Sequence, residues 1–112
     1  MDVLITGSTG MVGKSVLYEC IKDDRIRKIY LVNRVPVNLE SSKISEFILD
    51  DFLKMGELKN KINHCDACFH CMGITSFGQK SDYYYRVTFE MTKVLTDLVY
   101  EINPNSVMTY VS

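Results

Sequence analysis

The chain opens with a short apolar run that breaks into regularly spaced glycines, in the segment DVLITGSTGMVGKSVLYECIKDD. The apolar run is typical of a buried β-strand, and Gly7, Gly10 and Gly13 follow it in a G-x-x-G-x-x-G pattern. Apolar residues then recur at the intervals of an amphipathic helix: Val12, Val16, Leu17, Cys20 and Ile21. The opening therefore predicts a strand, a glycine loop and a helix of about three turns.

A glycine loop between a strand and a helix is typical of a site for a pyrophosphate. The first glycine permits a tight turn, the second lets backbone N–H groups approach the phosphates, and the third lets helix and strand pack closely. The amino end of the helix adds the positive end of its dipole. The alternative is that the glycines form a tight turn and nothing more.

The rest of the chain alternates between strand and helix patterns. Further strands are predicted at residues 28–32, in KISEFILDDF ending near Asp50, at residues 67–72 and in SVMTYVS at the end. Residues 52–63 predict a short helix or an irregular crossover, and a long amphipathic helix is expected from Ser81, as N-cap, to just before Pro104. Such alternation favours parallel βαβ units with helices on both faces of the sheet.

Composition limits the class of protein. The chain has 112 residues, of which 46% are hydrophobic and 24% charged, and a net charge of -1, which is typical of one folded domain. Its charges are scattered, so we expect no nucleic acid partner, and its apolar runs are too short for a membrane span or a signal peptide. We therefore expect a cytoplasmic protein whose four cysteines stay reduced.

The end of the second strand should show which cofactor the loop prefers. A residue about 20 positions beyond the glycines is expected to meet the adenosine ribose, and this count leads to Asn33, followed by Arg34. An acidic residue there would repel a 2′-phosphate, whereas asparagine beside arginine would accommodate it. The sequence therefore predicts NADP, with NAD less favoured. A solvated Arg34 at a strand end is the alternative.

These motifs resemble the amino-terminal half of an extended or atypical short-chain dehydrogenase/reductase, in the NAD(P)-dependent epimerase/reductase-like group. Its T-G-x-x-G-x-x-G loop is matched by Thr6 and the three glycines. The resemblance implies that Asp51, with Asp50 as a rival, faces the adenine amino group. It departs at Thr88, where the family usually has asparagine. The resemblance covers the whole chain but only about half of a family member.

The resemblance implies a Rossmann-type, three-layer αβα fold of the α/β class, with a five-stranded parallel sheet in the order 3-2-1-4-5 that stops after strand 5. Its small-residue segment after the fourth strand, which passes the cofactor ribose, is matched by Cys71, Met72 and Gly73. The complete set of expected cofactor contacts is Thr6, Gly7, Ser8, Thr9, Gly10, Met11, Val12, Gly13, Asn33, Arg34, Asp51, Phe52, Cys71, Met72 and Gly73.

The segment HCDACFHC has the C-x-x-C-x-x-C spacing of a metal motif. If it forms the fourth strand, Cys68 and Cys71 lie roughly 10 Å apart and Cys65 farther still, too distant to share a zinc ion. We therefore expect small buried thiols and, at His70, a packed or hydrogen-bonded histidine and not a catalyst. A metal-binding knuckle loop is the alternative.

No catalytic residue is expected within the chain. Family enzymes use a tyrosine and a lysine four residues later on a helix beyond the fifth strand, and this chain ends at Ser112. Its one Y-x-x-x-K, Tyr18 to Lys22, lies on the first helix, directed away from any nicotinamide.

The expected function is dinucleotide binding, with oxidoreductase or epimerase chemistry in a longer parent protein. A homo-oligomer through the exposed edge of strand 5 is also expected. The alternatives are a non-catalytic NADP-sensing or protein-interaction module and, less favoured, a flavodoxin-like mononucleotide domain.

Overall fold

A five-stranded parallel sheet lies at the centre of the structure, a computed structural model that describes residues 1–71 and 82–111, with side chains for 1–71 and 88–111. The strands are β1 (Asp2–Thr6), β2 (Lys28–Asn33), β3 (Ile44–Ile48), β4 (Ala67–His70) and β5 (Val107–Tyr110). They lie in the order β3-β2-β1-β4-β5, and every neighbouring pair is parallel. The predicted fold class and strand order are confirmed.

Helices cover both faces of this sheet. The helix α1 (Met11–Lys22) packs on one face, while a 3₁₀ helix, η1 (Phe52–Asn60), and α2 (Asp82–Ile102) pack on the other. The uncertain crossover is thus the 3₁₀ helix, and α2 ends two residues before Pro104 because proline cannot continue a helix. The predicted N-cap Ser81 lies outside the described residues.

The central strand, β1, contributes side chains to two hydrophobic cores, one on each face of the sheet. All five residues of β1 are buried, and alternate side chains point to opposite faces of the sheet. Leu4 joins the core under η1 and α2, whereas Val3 and Ile5 join the core under α1. The middle of the strand, residues 3–5, is therefore continuously apolar, as expected for a parallel strand covered on both faces.

Parallel pairing brings the carboxyl ends of the strands to one edge of the sheet. Thr6, the last residue of β1, pairs with Val32 of β2 and His70 of β4. The glycine loop, the end of β2 and the residue after β4 therefore meet at this edge. Ligands of open α/β sheets bind at such an edge, where the strand order reverses.

The cysteines of HCDACFHC do not converge. Cys65 and Cys68 lie in the core beneath α2, whereas Cys71 packs at the α1 face. Burial raises the pKa of the Cys65 thiol to about 11 and raises that of Cys68 further, so both stay protonated near neutral pH. Among the side chains that the structure describes, in residues 1–71 and 88–111, no group of three or more histidine, cysteine or acidic residues is arranged to hold a metal ion.

In the described parts of the chain, no helix combines the length and the apolar character needed to cross a bilayer.

Candidate cofactor site

The glycine loop turns sharply as it leaves β1. Gly7 has a φ of 75°, in the left-handed region that favours glycine, and its carbonyl oxygen accepts a hydrogen bond of 3.2 Å from the Gly10 N–H. A residue with a side chain would be strained at this position. The first glycine therefore makes the turn, as the sequence pattern predicts.

The other two glycines serve different purposes. A Cβ added to Gly13 would lie 2.0 Å from the Gly7 carbonyl oxygen, so the close packing of α1 on the loop excludes any side chain. Among the described residues, a Cβ added to Gly10 would meet only the same oxygen, at 3.6 Å, which is an ordinary contact. The described part of the fold therefore does not require glycine at position 10, and a glycine there would let a ligand group approach the backbone closely.

The amino end of α1 is suited to an anion. Its N-cap is Gly10, no side chain caps the helix, and its first turn contains no acidic residue. Uncapped N–H groups and the helix dipole together favour negative charge at this end. Met11 and Val12 are exposed there, and Thr9 precedes them, also exposed. These features fit the predicted pyrophosphate site.

Asn33 differs from its predicted role. Its side chain is buried, and its Oδ1 accepts hydrogen bonds from both Ser8 N, at 3.2 Å, and Ser8 Oγ, at 2.9 Å. Its Nδ2 donates to Glu46 Oε2 at 2.8 Å. Both polar atoms of the amide thus have hydrogen-bond partners within the protein. Asn33 instead holds the middle of the glycine loop against the end of β2.

Arg34 is the residue at this strand end that faces solvent. Its side chain is exposed, and none of the ion pairs among the described residues involves it. The chain after it is held to β3, because Glu46 Oε2 also accepts a 3.0 Å hydrogen bond from Val37 N. Arg34 therefore directly follows the end of β2 at the carboxyl edge of the sheet, with its side chain open to solvent.

The Asp51 carboxylate accepts a hydrogen bond within the protein. Its Oδ1 accepts a hydrogen bond of 2.9 Å from Leu53 N, which caps η1. The carboxylate is exposed, and Phe52 packs partly against the core beneath α2. The predicted contact of Asp51 with adenine remains a prediction.

The segment after β4 lies directly beside the start of the loop. The Cys71 N–H donates a 3.0 Å hydrogen bond to the Thr6 carbonyl oxygen, and the Cys71 side chain is half-buried. Burial raises the pKa of its thiol. Met72 and Gly73, the other two predicted contacts here, lie outside the described residues.

The pair Tyr18 and Lys22 lies apart from the loop. Both are exposed on α1, and Lys22 Nζ lies 3.4 Å from Glu19 Oε2. Tyr18 is about 10 Å along the helix axis from its first residue, at 1.5 Å per residue. Neither side chain is placed beside the carboxyl edge of the sheet.

Sequence reasoning missed three residues that organise this site: Glu46, His70 as a link between elements, and its partner Thr92. Each is a polar residue in an apolar run or on a helix stripe. That pattern signals a buried hydrogen-bonding role but does not identify the partner.

Comparisons with known proteins agree with this geometry. A family model described as the NAD dependent epimerase/dehydratase family matches residues 3–112. The comparison with curated proteins gave no match.

Solved structures share the fold. A short chain dehydrogenase from Leptospira borgpetersenii with bound NAD+ is 17% identical, with a TM-score of 0.73 over 97% of this chain and 50% of that chain. A mutant uronate dehydrogenase from Agrobacterium tumefaciens complexed with NAD is 14% identical, with a TM-score of 0.72 over 99% and 40%. A UDP-N-acetylglucosamine 4-epimerase from Bacillus cereus is 26% identical, with a TM-score of 0.71 over 100% and 36%.

The chain spans half or less of the length of these three proteins. Its sheet order, its glycine loop and the match over residues 3–112 all agree, and the chain therefore belongs to the NAD dependent epimerase/dehydratase family.

Proposed function

We propose that residues 1–112 form one NADP(H)-binding domain, the cofactor half of a reductase or epimerase-like protein. The observation that carries this proposal is the contrast between two glycines. Gly13 is required by the packing of α1, whereas a Cβ at Gly10 would make no more than an ordinary contact with the described residues. A pyrophosphate over Gly10 is the ligand that a strand, glycine loop and helix of this kind would accept.

The residues around the loop would share the binding. Backbone N–H groups of residues 7–13 would hold the pyrophosphate, and Asn33 would keep Ser8 in place beneath it. Asp51 and Phe52 would flank the adenine, and the segment that starts at Cys71 would pass the ribose. The bound nicotinamide would supply hydride transfer, while these residues would bind and orient it.

The preference for NADP over NAD rests on Arg34 alone, because Asn33 is committed inside the protein. An exposed guanidinium at the end of the second strand can pair with a 2′-phosphate through charge-assisted hydrogen bonds. Two of the solved structures that share this fold hold NAD, so the titration must include both cofactors.

Catalysis belongs, in this proposal, to a longer protein. The 112 residues contain one Y-x-x-x-K, and Tyr18 and Lys22 lie on the exposed side of α1. General acid–base catalysis typically contributes about 10² to 10⁴ in rate. We therefore expect the isolated chain to bind cofactor without steady turnover. An NADPH oxidation that follows the protein and disappears in Tyr18→Phe would contradict this.

A protein-interaction role is the second candidate, and β5 favours it. This strand is at the edge of the sheet that the structure describes, and Val107 and Tyr110 are 63% and 45% exposed. An edge strand offers free N–H and C=O groups to another polypeptide. We propose that two copies associate through β5 in the cytoplasm, a state that sedimentation at several concentrations would reveal.

Isothermal titration calorimetry with NADPH and NADH tests the main proposal. We expect one site per chain and tighter binding of NADPH. Absence of binding for both cofactors, with a folded chain confirmed by circular dichroism, would refute it.

A further inference from the structure

His70 is a fully buried histidine at the carboxyl end of β4 that touches three other elements. Its Nδ1 lies 2.7 Å from Thr6 Oγ1 of β1, and its Nε2 lies 3.2 Å from Thr92 Oγ1 of α2. The Tyr110 ring of β5 meets it edge-on, with ring centroids 5.2 Å apart. Every polar atom of the imidazole therefore has a partner.

The direction of these hydrogen bonds follows from a carbonyl group. Thr92 Oγ1 lies 3.0 Å from the Thr88 carbonyl oxygen, which can only accept, so the single hydroxyl proton of Thr92 points there. Thr92 Oγ1 must then accept from His70, which places the ring proton on Nε2. Nδ1 carries a lone pair, and the Thr6 hydroxyl donates to it.

The surroundings favour this neutral form. Two hydroxyls and the Tyr110 ring face the imidazole from the described parts of the neighbouring elements. Burial lowers the pKa of His70 below its ordinary value. A neutral ring can satisfy both threonines at once, whereas a charged ring would have to donate to Thr6 as well.

Thr6 links His70 to the candidate cofactor site. It immediately precedes Gly7, whose positive φ makes the turn, and its carbonyl oxygen accepts from Cys71 N at 3.0 Å. Thr6 is therefore held to β4 by its main chain and by its side chain. On the other side of Gly7, Ser8 is held by Asn33. The first turn of the loop is thus fixed at both ends.

We propose that His70 is a positioning residue for the dinucleotide: as a neutral imidazole protonated on Nε2, it holds the Thr6 hydroxyl and so fixes the first turn of the glycine loop. This inference rests on the proposed function. Thr92 and Tyr110 hold the imidazole in position. Because the imidazole in turn holds Thr6, it restricts the backbone where the glycine loop begins.

Two variants of His70 separate this role from a purely structural one. The side-chain amide of His70→Asn reaches the position of Nδ1, so its oxygen can accept from Thr6. The longer side chain of His70→Gln reaches the position of Nε2, so it can donate to Thr92 but leaves Thr6 without its acceptor. Both remove the buried ring, and both should lower the melting temperature.

Cofactor affinity should distinguish the two variants. We expect His70→Asn to bind NADPH within about threefold of the unmodified chain and His70→Gln to lose about tenfold, as for an unsatisfied buried donor. Equal affinities in the two variants, or losses that follow their melting temperatures, would overturn the proposal. An unmodified chain that binds neither NADPH nor NADH would refute the proposed function and, with it, this role.

A second measurement needs no cofactor. Nitrogen-15 spectra of the free chain should show the His70 ring as the neutral tautomer protonated on Nε2. A ring protonated on Nδ1, or charged at pH 7, would contradict the hydrogen-bond directions on which the proposal rests. The tautomer can thus refute this inference even where the cofactor binds as proposed.

Discussion

Gly13 and Gly7 approach each other so closely that a Cβ on Gly13 would stand 2.0 Å from the Gly7 carbonyl oxygen. This contact sets the start of α1 directly on the turn that ends β1. Gly10, between them, has no such contact in the described structure, where the nearest atom to its added Cβ lies at 3.6 Å. Substitutions at the two positions can therefore distinguish a glycine required for folding, Gly13, from a glycine proposed to be required for ligand binding, Gly10.

Gly10→Val should leave the chain folded and remove dinucleotide binding, because its side chain would occupy the space of the pyrophosphate. We expect a loss of at least about 30-fold in the Kd for NADPH, or about 2 kcal/mol. Gly56→Val is the matched control, since no atom of the described residues lies within 4 Å of a Cβ at Gly56, which is in η1 and not in the loop. A folded Gly10→Val chain that binds NADPH normally would show that the loop is not the site.

Arg34→Ala should weaken NADPH binding and leave NADH binding unchanged. A charge-assisted contact to the 2′-phosphate is worth roughly 1.5 to 3 kcal/mol, or more than about tenfold in Kd. The exposed side chain has no ion-pair partner among the described residues, so the melting temperature should not change. Calorimetry with both cofactors measures the difference. Equal affinities of the unmodified chain for NADPH and NADH would exclude an NADP preference.

Asn33→Ala should weaken the binding of both cofactors to the same extent. Its amide holds Ser8 and Glu46 inside the protein, so its loss loosens the glycine loop without removing a contact to the 2′-phosphate. We expect about 1 to 3 kcal/mol of lost unfolding free energy, because buried groups lose their partners. Urea denaturation and parallel titrations would measure both effects. A loss confined to NADPH would restore the direct role that the sequence predicted.

Stability should fall as pH falls below about 6.5. Burial lowers the pKa of His70 from its ordinary value of 6.5, so the unfolded chain takes up this proton at a higher pH than the folded chain. The unfolded state then binds more protons in that range, and unfolding becomes easier as pH falls. His70→Asn lacks this group, and its unfolding free energy should depend less on pH between 5 and 7 in the same buffers. Identical slopes for both chains would contradict a buried neutral ring.

Sequence periodicity was sufficient to predict the strands, because the middle residues of β1 and β2 are continuously apolar, and the glycine pattern fixes how β1 meets α1. The order of the strands was predicted from the family resemblance. The ends of strands were predicted less well. The third and fourth runs stay apolar to Leu49 and Met72, but the described ladders end at Ile48 and His70. Hydrophobicity reports burial and does not report where pairing with a neighbour stops.

In the candidate site too, some features could be predicted from the sequence and others could not. Position in the chain identified Asn33 as the residue at the end of β2, but the direction of its side chain depends on Ser8 and Glu46, which are distant in sequence. The link from His70 to Thr6 likewise spans 64 residues. Residue type and spacing predict which strand ends meet, whereas a hydrogen-bond partner becomes known only once the strands are in register.

The most direct test of a cofactor site at the glycine loop is an NMR titration of the nitrogen-15-labelled chain with NADPH. Saturable shifts should concentrate on the backbone amides of Gly7, Gly10 and Gly13 and on the first turn of α1, with smaller shifts at Arg34. Shifts that are absent, or that concentrate away from the carboxyl edge of the sheet, would contradict a dinucleotide site built on this loop.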